Sequence, residues 1–260
     1  MDVGQQGPDD HRSLRAARER DFHDNEPKFF AWARRHLDRA KATATWSEDE
    51  MKNLLSATDK VMLDFGCGSG AVTLQVLHAA PRRVVGFDIS EARAVRARAT
   101  IESRSSDVPV DLLVADGHKT PFRDHAFDLV LGQAILHHLD IEEALLEVRR
   151  ILKPCGMAVF KEPLAHNPVF RLGRALTPFA RTPDERPLTT EDWQLCASAF
   201  SHFRHYELDL LATFILPLTL VLPHVLQREL MRSLRPLDNW LLRRAPYLRK
   251  YARVTILVFG

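Results

Sequence analysis

Val61-Met62-Leu63-Asp64-Phe65-Gly66-Cys67-Gly68-Ser69-Gly70 reads as a buried strand running into a glycine loop. Val61, Met62, Leu63 and Phe65 are apolar, and glycines at alternate positions allow positive φ and a close backbone approach that a Cβ would block. Beyond the loop, Val72, Leu74, Val76 and Leu77 recur at helical spacing. The loop therefore opens a helix whose free N–H groups face a ligand. Strand, glycine loop and helix together begin a nucleotide-binding unit, but the pattern is weakly specific until the following strands are read.

The whole chain sets the bounds. Its 260 residues, 45% hydrophobic and 27% charged, suffice for one full core, and a net charge of +2 gives no overall argument for nucleic acid as a partner. Cys67, Cys155 and Cys196 are far apart, with no spacing that suggests zinc or a disulfide framework, so no metal is expected and a reducing cytoplasm fits. Met1 to Asp10 is polar and acidic, unlike a signal peptide, and no apolar run reaches the roughly 18 residues of a membrane helix. A soluble cytoplasmic protein is expected.

In chain order, residues 1 to about 12 show no apolar periodicity. Ser13 to about Arg39 reads as helical with a break before Pro27, and Phe22, Phe29, Phe30, Trp32 and Leu37 form an aromatic-rich face. That face either packs on the core or lids an apolar substrate. Residues 1–50 are thus expected to be a helical lid, and 51–260 a core with insertions at about 163–200 and 211–250.

Arg83 to Asp88 is a second buried strand ending in an acid, at a spacing that places a carboxylate at the ribose hydroxyls of a nucleoside. Ser90 caps the next helix, to about Arg104. Val108 to Val114 is a third strand, followed at once by Asp116 and Gly117. Ligands of open α/β sheets bind outside the strands' C-terminal ends, so Asp64, Asp88 and Asp116 are expected to converge on one crevice. Phe127 to Gly132 is the fourth strand, and Gln133 to Leu139 a loop facing that crevice. Ile141 to Leu152 is an amphipathic helix, stopped by Lys153-Pro154-Cys155-Gly156. Met157 to Lys161 is a fifth strand with Glu162-Pro163 at its tip. The alternation predicts an α/β, Rossmann-like, doubly wound sheet.

Taken together, Leu63-Asp64-Phe65-Gly66-Cys67-Gly68-Ser69-Gly70, Gly86-Phe87-Asp88, Ala115-Asp116-Gly117, the Pro121 to Asp128 run, Leu136-His137-His138-Leu139 and Leu152-Lys153-Pro154-Cys155-Gly156 are specific. Over about Val61 to Pro163 the chain resembles the class I methyltransferases that use S-adenosylmethionine, particularly the small-molecule group related to ubiquinone and menaquinone biosynthesis. Cys155 stands where that family usually has a second glycine. The resemblance implies a seven-stranded sheet with an antiparallel last strand. It implies that the Gly66, Cys67, Gly68 and Gly70 backbone holds the methionine part, Asp88 the ribose and Asp116 the adenine amino group, with Ile89 and Gly117 also in the cofactor site. Gln133 is implied near the methionine end. A cofactor bearing an ammonium and a sulfonium is also what buried acids such as Asp64 would accommodate.

Gly66-Cys67-Gly68-Ser69-Gly70-Ala71 also satisfies the G-x-G-x-x-A dinucleotide pattern of an NAD(P)-dependent oxidoreductase, although Asp64 would repel a pyrophosphate there. A second alternative is a protein that binds S-adenosylmethionine as a partner or scaffold without turnover.

On the acceptor side, His137, His138 and Glu162 sit at the expected cleft rim and are candidates for proton removal. Asn167 and Pro168 start a helix to about Leu176, and Thr177 to Leu188 is a proline-fixed loop, after which Thr190 caps a helix. His166, Arg181 and Glu185 are expected to shape the acceptor pocket, the alternative being an Arg181–Glu185 surface pair. Ser201 to Leu210 and Tyr251 to Phe259 are the last two strands, which the resemblance makes an antiparallel pair at the sheet edge. Between them, Leu211 to Pro223 is apolar and the following stretch basic, with Arg228, Arg232, Arg235, Arg243, Arg244, Arg249 and Lys250. This insertion either caps the pocket or contacts a membrane surface peripherally. Both alternatives imply a lipophilic small-molecule acceptor such as an isoprenoid, quinone, polyketide or aromatic product, methylated on oxygen or carbon.

Overall fold

The computed structural model describes residues 8–25, 58–104, 106–178, 181–215 and 222–260. Phe29, Phe30, Trp32 and Leu37 of the expected lid lie outside these residues. The first helix, α1, spans Pro8–Asp24 and starts before the expected Ser13, because proline is suited to a helix's first turn.

Seven strands form one sheet in the order β3-β2-β1-β4-β5-β7-β6. They are β1 (Val61–Phe65), β2 (Arg83–Asp88), β3 (Val110–Val114), β4 (Phe127–Gln133), β5 (Leu152–Pro163), β6 (Phe203–Leu208) and β7 (Val254–Phe259). Strands β1 to β5 pair in parallel, and β7 runs antiparallel to both of its neighbours. The last strand is therefore slotted between β5 and β6, which becomes the edge, and the expected edge pair is refined accordingly. Strand β1 is almost wholly buried because helices cover both faces of the sheet.

Four of the helices begin where polar side chains satisfy their free N–H groups. Helix α2 (Ala71–Leu77) starts at Gly70 in the left-handed region. Ser90 caps α3 (Glu91–Glu102), Asp140 caps α4 (Ile141–Ile151), and Asn167 caps α5 (Pro168–Leu176). Helix α6 (Thr190–Ala199) is capped by Thr189 rather than Thr190, since the Asp192 carboxylate reaches back to accept from the Thr189 N–H at 2.7 Å. A long helix, α7 (His224–Arg244), fills much of the last insertion, and a 3-10 segment at Pro246–Tyr251 leads into β7.

One boundary differs in kind. Strand β5 begins at Leu152, not Met157, but its ladder to β4 is interrupted there, so Lys153 to Gly156 forms a bulge in the strand where a turn was expected. Leu152 already pairs with Phe127, and the residue before a proline is biased toward extended backbone.

The core is a sandwich of the sheet between helices. On one face Phe65, Phe87, Phe127 and Phe160 pack with Leu145, Val148 and Ile151 of α4; on the other Met62, Val84, Leu129 and Val159 meet Val72 and Val76 of α2. Among the described residues no helix is long and apolar enough to cross a membrane.

Candidate active site

The strand order reverses between β1 and β4, and a cleft of about 570 Å³ opens there at the strands' C-terminal ends. The glycine loop forms one wall. Gly66, Gly68 and Gly70 all have positive φ, at 77°, 54° and 86°. A Cβ on Gly66 would lie 2.7 Å from Ile135, and one on Gly70 would lie 3.3 Å from the Cα of Ala97 in α3. A Cβ on Gly68 would meet nothing within 4 Å. Gly66 and Gly70 are thus constrained by the fold, whereas Gly68 keeps the cleft side of the loop open to a ligand.

Of the three acids expected in the crevice, Asp88 and Asp116 line it and Asp64 does not. Asp64 is buried beneath the loop, where its carboxylate accepts from the Thr73 hydroxyl at 2.5 Å and ties β1 to α2. Burial pushes its pKa up to about 6. Strand alternation supplies the reason: Asp64 and Phe65 point to opposite faces, and only the loop after them reaches the cleft. Gly70 also lies behind the lining, whereas Gly66, Cys67, Gly68, Ile89, Gly117 and Gln133 belong to it. The Cys67 thiol is held protonated, its pKa pushed well up by burial and then by Asp64 and Asp88.

Asp88 accepts from the N–H groups of Gly68 and Ser90 at 2.9 and 3.0 Å, so β2 and the loop are locked together. Asp116 is set by His118, a residue that the sequence did not single out. The Asp140 N–H donates to His118 Nε2 at 2.9 Å, which puts the ring proton on Nδ1, from which it is donated to Asp116 at 2.7 Å. Gln133 carries a buried Oε1 with no protein partner, on the wall of the cleft.

At the other end lie His137, His138, Glu185, Glu19 and Arg15. Glu162 is fully buried and outside the lining; its Oε1 accepts from the N–H groups of Ile135 and Leu136, and its Oε2 pairs with His137 Nδ1 at 2.7 Å. Glu162 therefore acts through His137, whose Nε2 is left without a proton. Burial, and then His138, depress the His137 pKa, so the ring is neutral. His138 Nδ1 pairs with Glu19 of α1 at 3.2 Å, and Glu19 also accepts from the Thr182 hydroxyl. Burial alone would raise the Glu19 pKa, but bonds from His138, His23 and Thr182 hold it far below the carboxylate range.

Of the expected acceptor residues, Glu185 is in the cleft and His166 and Arg181 are not. Glu185 pairs with Arg174 of α5, not with Arg181, whose guanidinium donates to the Thr177 carbonyl at 3.2 Å. Among the described residues, His137, His138 and Glu185 are a group whose ligating atoms lie within 4.8 Å of one another. Each already has a protein partner in Glu162, Glu19 or Arg174. No described residue of 211–250 lines the cleft, so the described part of the insertion does not cap it.

Residues 63–160, which hold the glycine loop, Asp88, Asp116 and the histidine pair, match the family described as "Methyltransferase domain". This part of the chain is a methyltransferase domain. The domain is 31% identical over 128 residues to a tRNA U34 carboxymethyltransferase of Cellvibrio japonicus, covering 48% of this chain and 39% of that one. A demethylmenaquinone methyltransferase of Lactobacillus johnsonii is 26% identical over 132 residues, 49% of this chain and 54% of that one. The chain thus spans about half or less of the length of these curated relatives. Beyond the methyltransferase domain the likeness is one of fold. A geranyl diphosphate C-methyltransferase of Streptomyces coelicolor superposes with a TM-score of 0.58 at 18% identity, over 82% of this chain and 76% of that one. That structure holds Mg2+, geranyl diphosphate and S-adenosyl-L-homocysteine.

Proposed function

We propose that the protein is an S-adenosylmethionine-dependent methyltransferase acting on an oxygen or carbon of a small amphiphilic molecule. The observation that carries the cofactor half is the orphaned Oε1 of Gln133 in the cleft that the open Gly68 also lines. A buried acceptor without a donor fits a ligand that brings an ammonium or a polarised methyl-bearing cation. Asp88, Ile89 and Asp116 continue the same wall and suit ribose hydroxyls, an apolar ring face and an amino group, respectively. Bound there, the cofactor supplies a methyl group on a sulfonium for direct displacement. The chain's own residues hold the acceptor in line, about 3 to 3.5 Å from the methyl carbon, which is where most of the rate enhancement arises.

In this reading His137 takes the acceptor's proton at Nε2, supported by the Glu162 Oε2–His137 Nδ1 pair at 2.7 Å, which fixes the ring and stabilises the charge that forms. Arg15, Glu19, His138 and Glu185 make this end of the cleft polar, so the methylated group is ionisable. Phe22 of α1, with Ile135 and Leu139, offers an apolar wall for the rest of the acceptor, and the family relatives include enzymes named for quinone and sterol methylation. Helix α1 serves here as part of the lid.

Calorimetry with S-adenosylmethionine and with NAD tests the cofactor; binding of NAD alone would overturn the proposal. Incubation of the chain with methyl-labelled cofactor and a lipid-soluble metabolite extract tests turnover. Tight cofactor binding with no labelled product from any fraction would instead support a binding partner without turnover.

A further inference from the structure

Helix α7 keeps its apolar side out of the fold. Its inner face is accounted for: buried Asp238 accepts from the Leu211 N–H at 2.7 Å, Leu242 joins the main core, and Leu234 packs on Ala212 and Ile215. On the adjoining, solvent-exposed side Leu226, Leu230, Leu237 and Trp240 follow one another at spacings of four, seven and three residues. At 100° per residue they fall within an arc of about 80°. All four are exposed, Leu226 by 52% and Trp240 by 57%. Leaving so much leucine and tryptophan in water over one continuous row is unfavourable unless something covers it.

The charges beside the row indicate what that is. Arg232, Arg243 and Arg244 are exposed on α7, whereas Glu229 is its only exposed acid, since Asp238 is buried. A second copy would bring these arginines against their own kind. A bilayer carrying anionic headgroups would attract them while taking the leucines into its acyl boundary, and tryptophan favours that interface. Asn167 ties the first turn of α5 to Thr213 and to the Tyr251 carbonyl beside the same insertion. Helix α5 also exposes Leu172 and Leu176.

We infer that the outer face of α7, centred on Leu230, Leu237 and Trp240, is a peripheral docking surface for an anionic phospholipid membrane. The helix lies in the interface plane and does not span it. The cleft is formed without this face, so attachment and chemistry are separable.

The test is co-sedimentation of the full chain with vesicles of phosphatidylcholine containing phosphatidylglycerol, against vesicles of phosphatidylcholine alone, at low and high salt. The wild-type chain is expected to pellet with the anionic vesicles at low salt. The triple variant Leu230→Glu, Leu237→Glu, Trp240→Ser should lose more than tenfold in partitioning. Arg243→Ser and Arg244→Ser should each lose about fivefold. An unchanged melting temperature shows that the variants are folded, as exposure of all the substituted positions leads one to expect. Equal pelleting with both vesicle types, or wild-type pelleting by the triple variant, would overturn the inference. So would a concentration-dependent dimer that the triple variant abolishes without any vesicle binding, which would give the face to a second copy. None of these readouts depends on methyl transfer.

Discussion

Glu162 Oε2 lies 2.7 Å from His137 Nδ1, while Glu162 Oε1 holds the backbone N–H groups of Ile135 and Leu136 at 2.9 Å. One buried carboxylate at the end of β5 thus sets both the loop after β4 and the tautomer of the histidine in the cleft. Replacing it by an amide cannot preserve both, because one amide end donates where only acceptors are tolerated.

Glu162→Gln is therefore expected to drive His137 to the other tautomer, with the proton on Nε2. Nitrogen chemical shifts of the labelled imidazole would report the change. With an acceptor in hand, kcat should fall about 100-fold with the cofactor KM nearly unchanged, the size associated with a lost general base. Because His137 is held neutral by burial, the acid limb of wild-type activity should lie below the ordinary histidine range.

Gly66 and Gly68 should respond differently to alanine. At Gly66 the new Cβ meets Ile135 at 2.7 Å on a backbone at φ 77°, so the fold should lose about 3 kcal/mol. At Gly68 only the φ of 54° opposes alanine, at about 1 kcal/mol, and the methyl group enters the open cleft. Gly68→Ala should remain folded and bind S-adenosylmethionine at least tenfold more weakly, as thermal melting and calorimetry together would show.

Burial raises the Asp64 pKa to about 6 against an ordinary 3.8, so at pH 7 its carboxylate is ionised at a cost to the fold. The folded state binds its proton more tightly than the unfolded state, so stability falls as pH rises from 3.8 toward 6 and stays lower above. Asp64→Asn should remove that loss and stabilise the protein at pH 7, by on the order of 2 kcal/mol. The same change should weaken a cationic ligand about tenfold, since an ionised Asp64 lies beneath the loop that faces it. A variant that neither melts higher nor binds more weakly would deny Asp64 this role.

The docking of α1 should depend on pH. Burial lowers the His23 pKa to about 4 from 6.5, so its stabilising neutral form is intact above 6.5 and is lost as pH falls toward 4. Glu19 acts in the same direction, because a depressed carboxylate contributes stability above its ordinary pKa and loses it in acid. The melting temperature should fall between pH 7 and 5, by about 1 kcal/mol per unit in free-energy terms. His23→Gln should flatten that slope, and Glu19→Gln should raise hydrogen exchange across α1 at neutral pH.

The alternating elements from Val61 to Pro163 were legible in the sequence because each strand's apolar run, cap and glycine is a local signal. So were Gly66, Gly68, Asp88, Asp116 and Gln133, which all fall at strand ends, where the topology of a parallel sheet must bring them together. Legibility weakened wherever a side chain's direction mattered. Asp64 and Glu162 were placed at the right strands, but burial turned one into a support for the loop and the other into a support for His137.

The sequence by itself determined the class of fold, the strand-end residues that line one wall of the cleft, and the run of apolar then basic residues in the last insertion. Only the tertiary structure decided that Glu19, His137 and Glu185, separated by 118 and 48 residues along the chain, share one end of the cleft. It also decided that Arg174, not Arg181, pairs with Glu185, and that Leu226, Leu230 and Leu237 of α7 face outward. The physical reason is range: periodicity and capping act within a few residues and leave a trace in the sequence. Ion pairs across a cleft and the choice of which helix face is covered depend on elements brought together by the whole fold.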